Sequence, residues 1–158
     1  MDKTKKEYLW YAVYGSNINY DRFLLYITGG TKKFYDVEIV TKGCFDKSLP
    51  IKDQPYKINH PIYFAKHSSK WGGGVAFLNT KISGLTYGRV YLITKEQFQA
   101  IKAQEGSWYS EEINLGILEG YPVKTFTGFH EDIEKPSNSY LQTINAGLKQ
   151  INQPLLEI

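Results

Sequence analysis

The stretch YLWYAVYGSNINYDRFLLYITGG, residues 8–30, decides the first unit of the predicted fold. Residues 8–14 are almost continuously aromatic and aliphatic, which is typical of a central buried strand. Residues 15–17, Gly-Ser-Asn, are turn formers that end this strand. A helix is then predicted over residues 20–28, because Asn19 can cap its start and apolar side chains recur at helical spacing. Those side chains are Tyr20, Phe23, Leu24 and Ile27.

Outward from this unit, further strands are predicted wherever short apolar or alternating runs are bounded by turn residues. Thr94 and Gln97 form a capping box that opens a second helix through about residue 105. Ser137 can cap a last helix, which has an apolar face. The pattern predicts an α+β fold: a single domain with a small mixed β-barrel-like sheet and about three packed helices. The predicted strands cover residues 35–45, 56–67, 75–79, 85–93, 111–118 and 121–127.

The length of 158 residues suits one compact domain, expected to cover residues 1–158 with a flexible N-terminal end at 1–7. A net charge of +3, partly carried by lysines of that end, is weak for a nucleic-acid-binding protein. No apolar run approaches the ~18 residues that a membrane span requires, and no signal peptide is recognisable. The single cysteine, Cys44, fits a reducing compartment. Together, these features predict a cytoplasmic protein without membrane or nucleic-acid partners.

Glu105 is the first candidate for chemistry, because it stands on the predicted apolar stripe of the second helix. Phe98, Ile101 and Glu105 are spaced i, i+3 and i+7, which places their side chains on one face. Burial among apolar side chains raises the pKa of a carboxyl group, and a general base near neutral pH needs such a pKa. The alternative is that the helix frays before Gly106 and leaves Glu105 solvated.

The second candidate is the loop Tyr14-Gly15-Ser16-Asn17, which lies between the buried strand and the first helix. Successive backbone N–H groups in such a turn can bind an anion, and the N-terminus of the following helix adds partial positive charge. Gly15 would let a ligand approach the backbone closely and could adopt a positive φ. The alternative is an ordinary turn followed by a helix cap.

Other motifs point less clearly to a site. Residues 72–74, Gly-Gly-Gly, lack the Lys-Ser/Thr of a P-loop and are better explained as a flexible turn. His60, His67 and His130 are dispersed, so metal-ligand spacing is absent from the sequence. Ser16 is not part of a Gly-x-Ser-x-Gly motif, which argues against a serine nucleophile with a triad. The sequence therefore predicts neither a metal nor a cofactor.

Taken together, these fragments resemble the γ-glutamyl cyclotransferase family. YLWYAVYGSN at 8–17 is similar to the family's first strand and Tyr-Gly-Ser-Asn loop. GRVYLITKEQFQAIKAQEG at 88–106 is similar to its strand–helix unit ending in Gln-Glu-Gly. Two shorter fragments match in the expected order, WGGGVAF at 71–77 and PSNSYLQTINAG at 136–147, so the resemblance extends from about residue 8 to about 154.

The resemblance implies a reaction and a role for each candidate residue. The family's catalytic acid/base falls on Glu105, and the loop at 14–17 would hold the glutamyl moiety. The α-amino group of a γ-glutamyl compound attacks its own γ-carbonyl, which gives 5-oxoproline and an amine or amino acid without a cofactor. Tyr109 and Tyr140 would line the pocket with their hydroxyls pointing toward Glu105. Ordinary core packing is the alternative for both tyrosines.

The expected partner is a small-molecule γ-glutamyl compound, and its leaving group stays open. Asn17 after Ser16 is nearer to the family's enzymes that act on γ-glutamyl amino acids. A same-fold enzyme acting on a γ-glutamyl amine or a tailored metabolite is one alternative. A non-catalytic small-molecule binding module is another, and an intact Glu105 argues against it. The sequence does not reveal the oligomeric state, for which a homodimer is one option.

Overall fold

The computed structural model describes residues 5–157 of the chain. Within that range, nine strands and three α-helices follow one another. The helices are α1 (Tyr20–Thr28), α2 (Lys95–Glu105) and α3 (Asn138–Gln150). The strands are β1 (Tyr8–Val13), β2 (Gly30–Phe34), β3 (Val37–Thr41), β4 (Asp53–Ile58), β5 (Ile62–Ser68), β6 (Gly73–Leu78), β7 (Thr86–Thr94), β8 (Glu111–Leu118) and β9 (Tyr121–Thr127).

The first strand lies at the centre of a five-stranded sheet with the order β4-β7-β1-β9-β8. It pairs antiparallel with β7 and parallel with β9, so the sheet is mixed, as predicted. From Leu9 to Val13, no residue of β1 is more than 3% exposed. Both faces of the strand are therefore covered, which explains why its sequence is apolar throughout rather than alternating.

All three helices begin at the caps that the sequence predicts. The side chains of Asn19 and Ser137 each accept a hydrogen bond from a backbone N–H in the first turn of their helix. Thr94 and Gln97 form the complete capping box at the start of α2. This helix ends at Gly106, whose φ of 90° favours glycine. The α+β fold with three helices is thus confirmed.

The strand predicted over residues 35–45 needs correction. Residues 35 and 36 form a tight turn that joins β2 and β3 into a separate two-stranded sheet. Tyr35 has a φ of 58° there, and the turn lacks the Asn-Gly type of signal that usually marks a hairpin. The strands β5 and β6 form another two-stranded sheet. The described strands therefore make three open sheets rather than a closed barrel.

The end predicted to be flexible, residues 1–7, lies partly outside the described residues, which begin at Lys5. Residues 5–7 are exposed, and the carbonyl of Glu7 accepts a hydrogen bond from the N–H of Lys95 at 2.9 Å. Between residues 5 and 157, no helix is both long and apolar enough to cross a membrane.

The helix α3 packs closely on the loop that follows β1. A Cβ at Gly147 would collide with the backbone of Ile18 and Asn19, so only glycine permits this approach. The short 3₁₀ turn Ser16–Ile18 is consequently held between β1 and α3. This packing fixes the loop that the sequence singled out as a candidate ligand site.

Candidate active site

A pocket lies where the loop after β1, the end of α2 and the start of α3 meet. Its volume is about 140 Å³. Pockets for drug-sized ligands are larger, ~300–1,000 Å³, so this one suits a group of about the size of an amino acid. All seven residues that the sequence predicts for the site line it: Tyr14, Gly15, Ser16, Asn17, Glu105, Tyr109 and Tyr140.

Glu105 is the last residue of α2, and it is half-buried in the wall of the pocket. Nδ2 of Asn17 donates a hydrogen bond to Oε1 of Glu105 at 3.1 Å. Tyr26 lines the pocket beside it. Burial raises the pKa of Glu105 above its ordinary value of 4.5, although the charge of Arg22 and the polar groups of Tyr26 and Asn17 oppose the rise.

The surroundings of Glu105 distinguish a buried carboxylate on the apolar face of α2 from a solvated one at a frayed helix end. The helix continues to Glu105 itself, and the carboxylate lies in the pocket rather than at a frayed, solvated end. A carboxylate whose proton affinity is raised by burial can accept and return a proton closer to neutral pH than an exposed one. The arrangement is therefore suited to acid–base chemistry on a small ligand.

Asn17 links the loop after β1 to Glu105. Its backbone carbonyl accepts a hydrogen bond from the hydroxyl of Tyr91 at 2.9 Å, which fixes the main chain at this position. Its side chain is 6% exposed, and Nδ2 points to Glu105. Oδ1 has no hydrogen-bond partner among residues 5–157. Since buried polar atoms are usually paired, this acceptor is available to a ligand donor.

Gly15 is required for space rather than for its backbone conformation. Its φ is −120°, so the suggestion of a positive φ was wrong. A Cβ at this position would lie 2.9 Å from the hydroxyl oxygen of Tyr140 and 3.4 Å from Cβ of Ala76. The hydroxyl of the neighbouring Tyr14 donates to the carbonyl of Phe126 at 2.8 Å.

Tyr109 and Tyr140 line the pocket. Their hydroxyls were expected to point toward Glu105, but they are hydrogen-bonded to other groups. The hydroxyl of Tyr109 donates to the carbonyl of Ala76 at 2.9 Å. The hydroxyl of Tyr140 accepts from the N–H of the same Ala76 at 3.0 Å. Ala76 is 1% exposed, and buried backbone groups need hydrogen-bond partners. The two tyrosines therefore connect β6 to the pocket wall through these hydrogen bonds.

Phenylalanine substitutions test this structural role. Tyr109→Phe leaves the Ala76 carbonyl without its donor, and Tyr140→Phe leaves the Ala76 N–H without its acceptor. An unsatisfied buried group costs about 1–3 kcal/mol, so both variants should unfold at lower temperature. The pH dependence of turnover between pH 6 and 9 should stay as in the wild type. A changed pH profile with an unchanged melting temperature would instead support a direct role beside Glu105.

Two basic residues that the sequence did not single out also line the pocket, Arg22 and Lys70. Arg22, in α1, is 2% exposed and donates from Nη2 to the hydroxyl of Tyr26 at 2.9 Å. Lys70 lines the pocket with part of its side chain in contact with solvent, and partial desolvation together with the nearby Arg22 lowers its pKa, while Glu105 opposes that change. The available signal was the i, i+4 spacing of Arg22 and Tyr26 next to Phe23 in a predicted amphipathic helix.

Among residues 5–157, no group of three or more His, Cys, Asp and Glu side chains is placed to hold a metal ion. His60, His67 and His130 are each hydrogen-bonded to a different partner.

Sequence comparison finds a distant relative but no family profile that matches the chain. Histone deacetylase 5 of Arabidopsis thaliana is 30% identical over 185 aligned positions. The match covers 89% of this chain and 28% of that protein. The chain thus corresponds to little more than a quarter of that relative's length.

Comparison with solved structures identifies the architecture. A γ-glutamyl cyclotransferase has a TM-score of 0.66 and 19% identity over 94% of this chain and 82% of its own. An uncharacterized protein from Homo sapiens has a TM-score of 0.68 and 20% identity over 95% of this chain and 83% of its own. The chain has the γ-glutamyl cyclotransferase fold.

Proposed function

We propose that this protein is a γ-glutamyl cyclotransferase that releases 5-oxoproline and an amine or amino acid from a γ-glutamyl compound. The observation that supports it most is the contact between the two candidate motifs. Asn17 of the loop after β1 donates to Glu105 at the end of α2, across 88 positions of sequence, inside one pocket. A carboxylate and a ligand-sized cavity therefore come together where the reaction needs them.

In the proposed reaction the substrate supplies its own nucleophile. The α-amino nitrogen attacks the γ-carbonyl carbon, a new C–N bond closes the five-membered ring, and the bond from that carbon to the leaving nitrogen breaks. The attacking nitrogen goes from ammonium to lactam N–H and loses two protons. The leaving nitrogen goes from amide N–H to ammonium and gains two. The proton balance is thus closed, and Glu105 ends as the carboxylate with which it began.

Glu105 is assigned the transfer of these protons. It must be ionised to accept the first proton, and its raised pKa makes the protonated form a weak enough acid to hold that proton until the leaving nitrogen needs it. Such acid–base catalysis typically accelerates a reaction by ~10²–10⁴-fold. The buried acceptor Oδ1 of Asn17 is placed to orient the substrate's amino group. Orientation adds to the rate because the attack becomes intramolecular within a fixed geometry.

The charges of the pocket favour a leaving group that carries a carboxylate. Lys70 is exposed, lines the pocket and lies outside the deeply buried part that Arg22 occupies. A γ-glutamyl amino acid would bring a second carboxylate to this outer position, whereas a γ-glutamyl amine would not. We therefore place γ-glutamyl amino acids before γ-glutamyl amines as the substrate class.

The test is a substrate panel scored for 5-oxoproline. It contains a γ-glutamyl amino acid, glutathione, a γ-glutamyl amine and an α-N-acetylated γ-glutamyl amino acid. We expect release of 5-oxoproline from the first compound at the highest kcat/KM and none from the acetylated compound, whose amino group cannot attack. Release of glutamate instead would indicate hydrolysis by water, and no turnover of any compound would contradict the proposal.

A further inference from the structure

Arg22 is a buried cation that the proposed reaction has not yet used. It lies in α1, is 2% exposed and lines the pocket that also contains Glu105. Its guanidinium carbon lies 4.3 Å from the ring centre of Tyr26 and 6.0 Å from that of Trp71. A guanidinium stays charged at any pH at which a protein is folded, so burying it in aromatic surroundings requires compensation.

The protein itself provides little of that compensation. Nη2 donates to the hydroxyl of Tyr26, but Nε and Nη1 have no hydrogen-bond partner among residues 5–157. In the same range, no carboxylate lies within salt-bridge distance of Arg22. Unpaired donors of a buried charge cost more than those of a neutral group, so an arginine kept for stability alone would be expected to have its partners.

The second arginine of the chain shows how a structural arginine is treated in this fold. Arg89 is 7% exposed, and its side-chain nitrogens have partners within the chain. It pairs with Asp53, with Nη2 2.6 Å from the carboxylate, and its Nη1 donates to Ile18 and Gln150. The contrast between these two buried arginines indicates that the free donors of Arg22 bind a group that comes from outside the chain.

We propose that Arg22 binds the α-carboxylate of the γ-glutamyl group, an assignment that rests on the proposed function. Nη1 carries two N–H donors and Nη2 keeps one besides the bond to Tyr26, which is enough for charge-assisted hydrogen bonds to both oxygens of a carboxylate. The sequence alone pointed to backbone N–H groups of residues 14–17 for this carboxylate. The guanidinium is the stronger receptor, because it adds a full charge in a buried place.

The position of Arg22 relative to Glu105 fits the head of an amino acid. Arg22, Tyr26 and Glu105 line the same pocket, Nη2 of Arg22 donates to the hydroxyl of Tyr26 at 2.9 Å, and the charge of Arg22 acts on the carboxylate of Glu105. In an α-amino acid, one carbon separates the carboxylate from the ammonium. Arg22 and Glu105 thus present a positive and a negative group to the carboxylate and the ammonium group on the substrate's α-carbon. Binding the carboxylate on Arg22 would hold the α-amino group beside Glu105.

The experiment measures binding, not turnover. Titration calorimetry on the full chain compares 5-oxoproline with 5-oxoprolinamide, and L-glutamate with its α-amide. We expect the wild type to bind each carboxylate at least ~10-fold more tightly than its amide. Arg22→Met should remove this preference and leave the amide affinities within about twofold. Arg22→Lys, which keeps the charge and not the planar donor geometry, should retain part of the preference and serves if the Met variant does not fold.

Melting temperatures complete the test. Arg22→Met should melt at or above the wild-type temperature, since it removes a buried charge with few partners, whereas Arg89→Met should melt well below it. An Arg22 variant that keeps the carboxylate preference overturns the proposal, as does a wild type without that preference. If the preference depends on Arg22 but the substrate panel yields no 5-oxoproline, the carboxylate site is supported and the proposed cyclotransferase activity is contradicted. If the panel yields 5-oxoproline but the preference does not depend on Arg22, the activity is supported and Arg22 is not its carboxylate receptor.

Discussion

Glu105→Gln should lower the turnover of a γ-glutamyl substrate by at least ~100-fold, which is the low end for the loss of a general base. The amide has the size of the carboxylate and can still accept the hydrogen bond from Asn17. It cannot take a proton from an ammonium group, so the chemical step is affected more than binding. The measurement is steady-state release of 5-oxoproline, and we expect kcat to fall while KM changes by only a few-fold.

The matched control for this prediction is Glu111→Gln. Glu111 is an exposed residue of β8 and is not part of the pocket wall. Its replacement removes the same charge from the chain and should leave kcat and KM as in the wild type. Turnover by the Glu105 variant close to that of this control would remove Glu105 from the mechanism.

The raised pKa of Glu105 gives the same variant a second, independent signature in stability. Burial makes the folded state bind the proton more tightly than the unfolded state, where the pKa is ordinary at 4.5. As pH rises from 4.5 through the folded-state pKa, the wild type therefore loses stability, and above that pKa the loss persists in full. Glutamine does not ionise, so Glu105→Gln should gain melting temperature relative to the wild type as pH rises. The rate of the wild type should increase over the same pH window, as Glu105 becomes ionised.

The sequence was most informative where function depends on local structure. The capping box at Thr94 fixes the start of α2, and the spacing from Phe98 to Glu105 then fixes the face on which the carboxylate lies. The loop after β1 is equally local, because a buried strand and a capped helix leave only residues 14–17 to make the turn. Local spacing can be read from one sequence, since each signal acts within a few residues.

Long-range partners could not be read in this way. The parallel pairing of β1 with β9 joins residues more than a hundred positions apart, and no local signal records it. The hydroxyls of Tyr109 and Tyr140 were expected to find Glu105, but backbone groups of Ala76 lie closer in the folded chain. Arg22 escaped notice because a single arginine in an amphipathic helix is usually solvent-exposed. Its role becomes visible only when the absence of partners among the described residues is seen in three dimensions.

Gly15→Val should raise KM at least ~10-fold, because the side chain would enter the space between the loop and Tyr140. The first added atom alone would lie 2.9 Å from the Tyr140 hydroxyl and 3.4 Å from Cβ of Ala76, and overpacking of this kind costs about 1–3 kcal/mol. Ser16→Ala should have a smaller effect, since it removes an atom instead of adding a branched side chain. Gly15→Ala in a Tyr140→Phe background separates steric from other causes. Without the hydroxyl, the added methyl group should lower the stability less and raise KM less than it does in the wild-type background. Equal costs in both backgrounds, or a wild-type KM for Gly15→Val, would show that the close approach of this loop to Tyr140 does not shape the pocket.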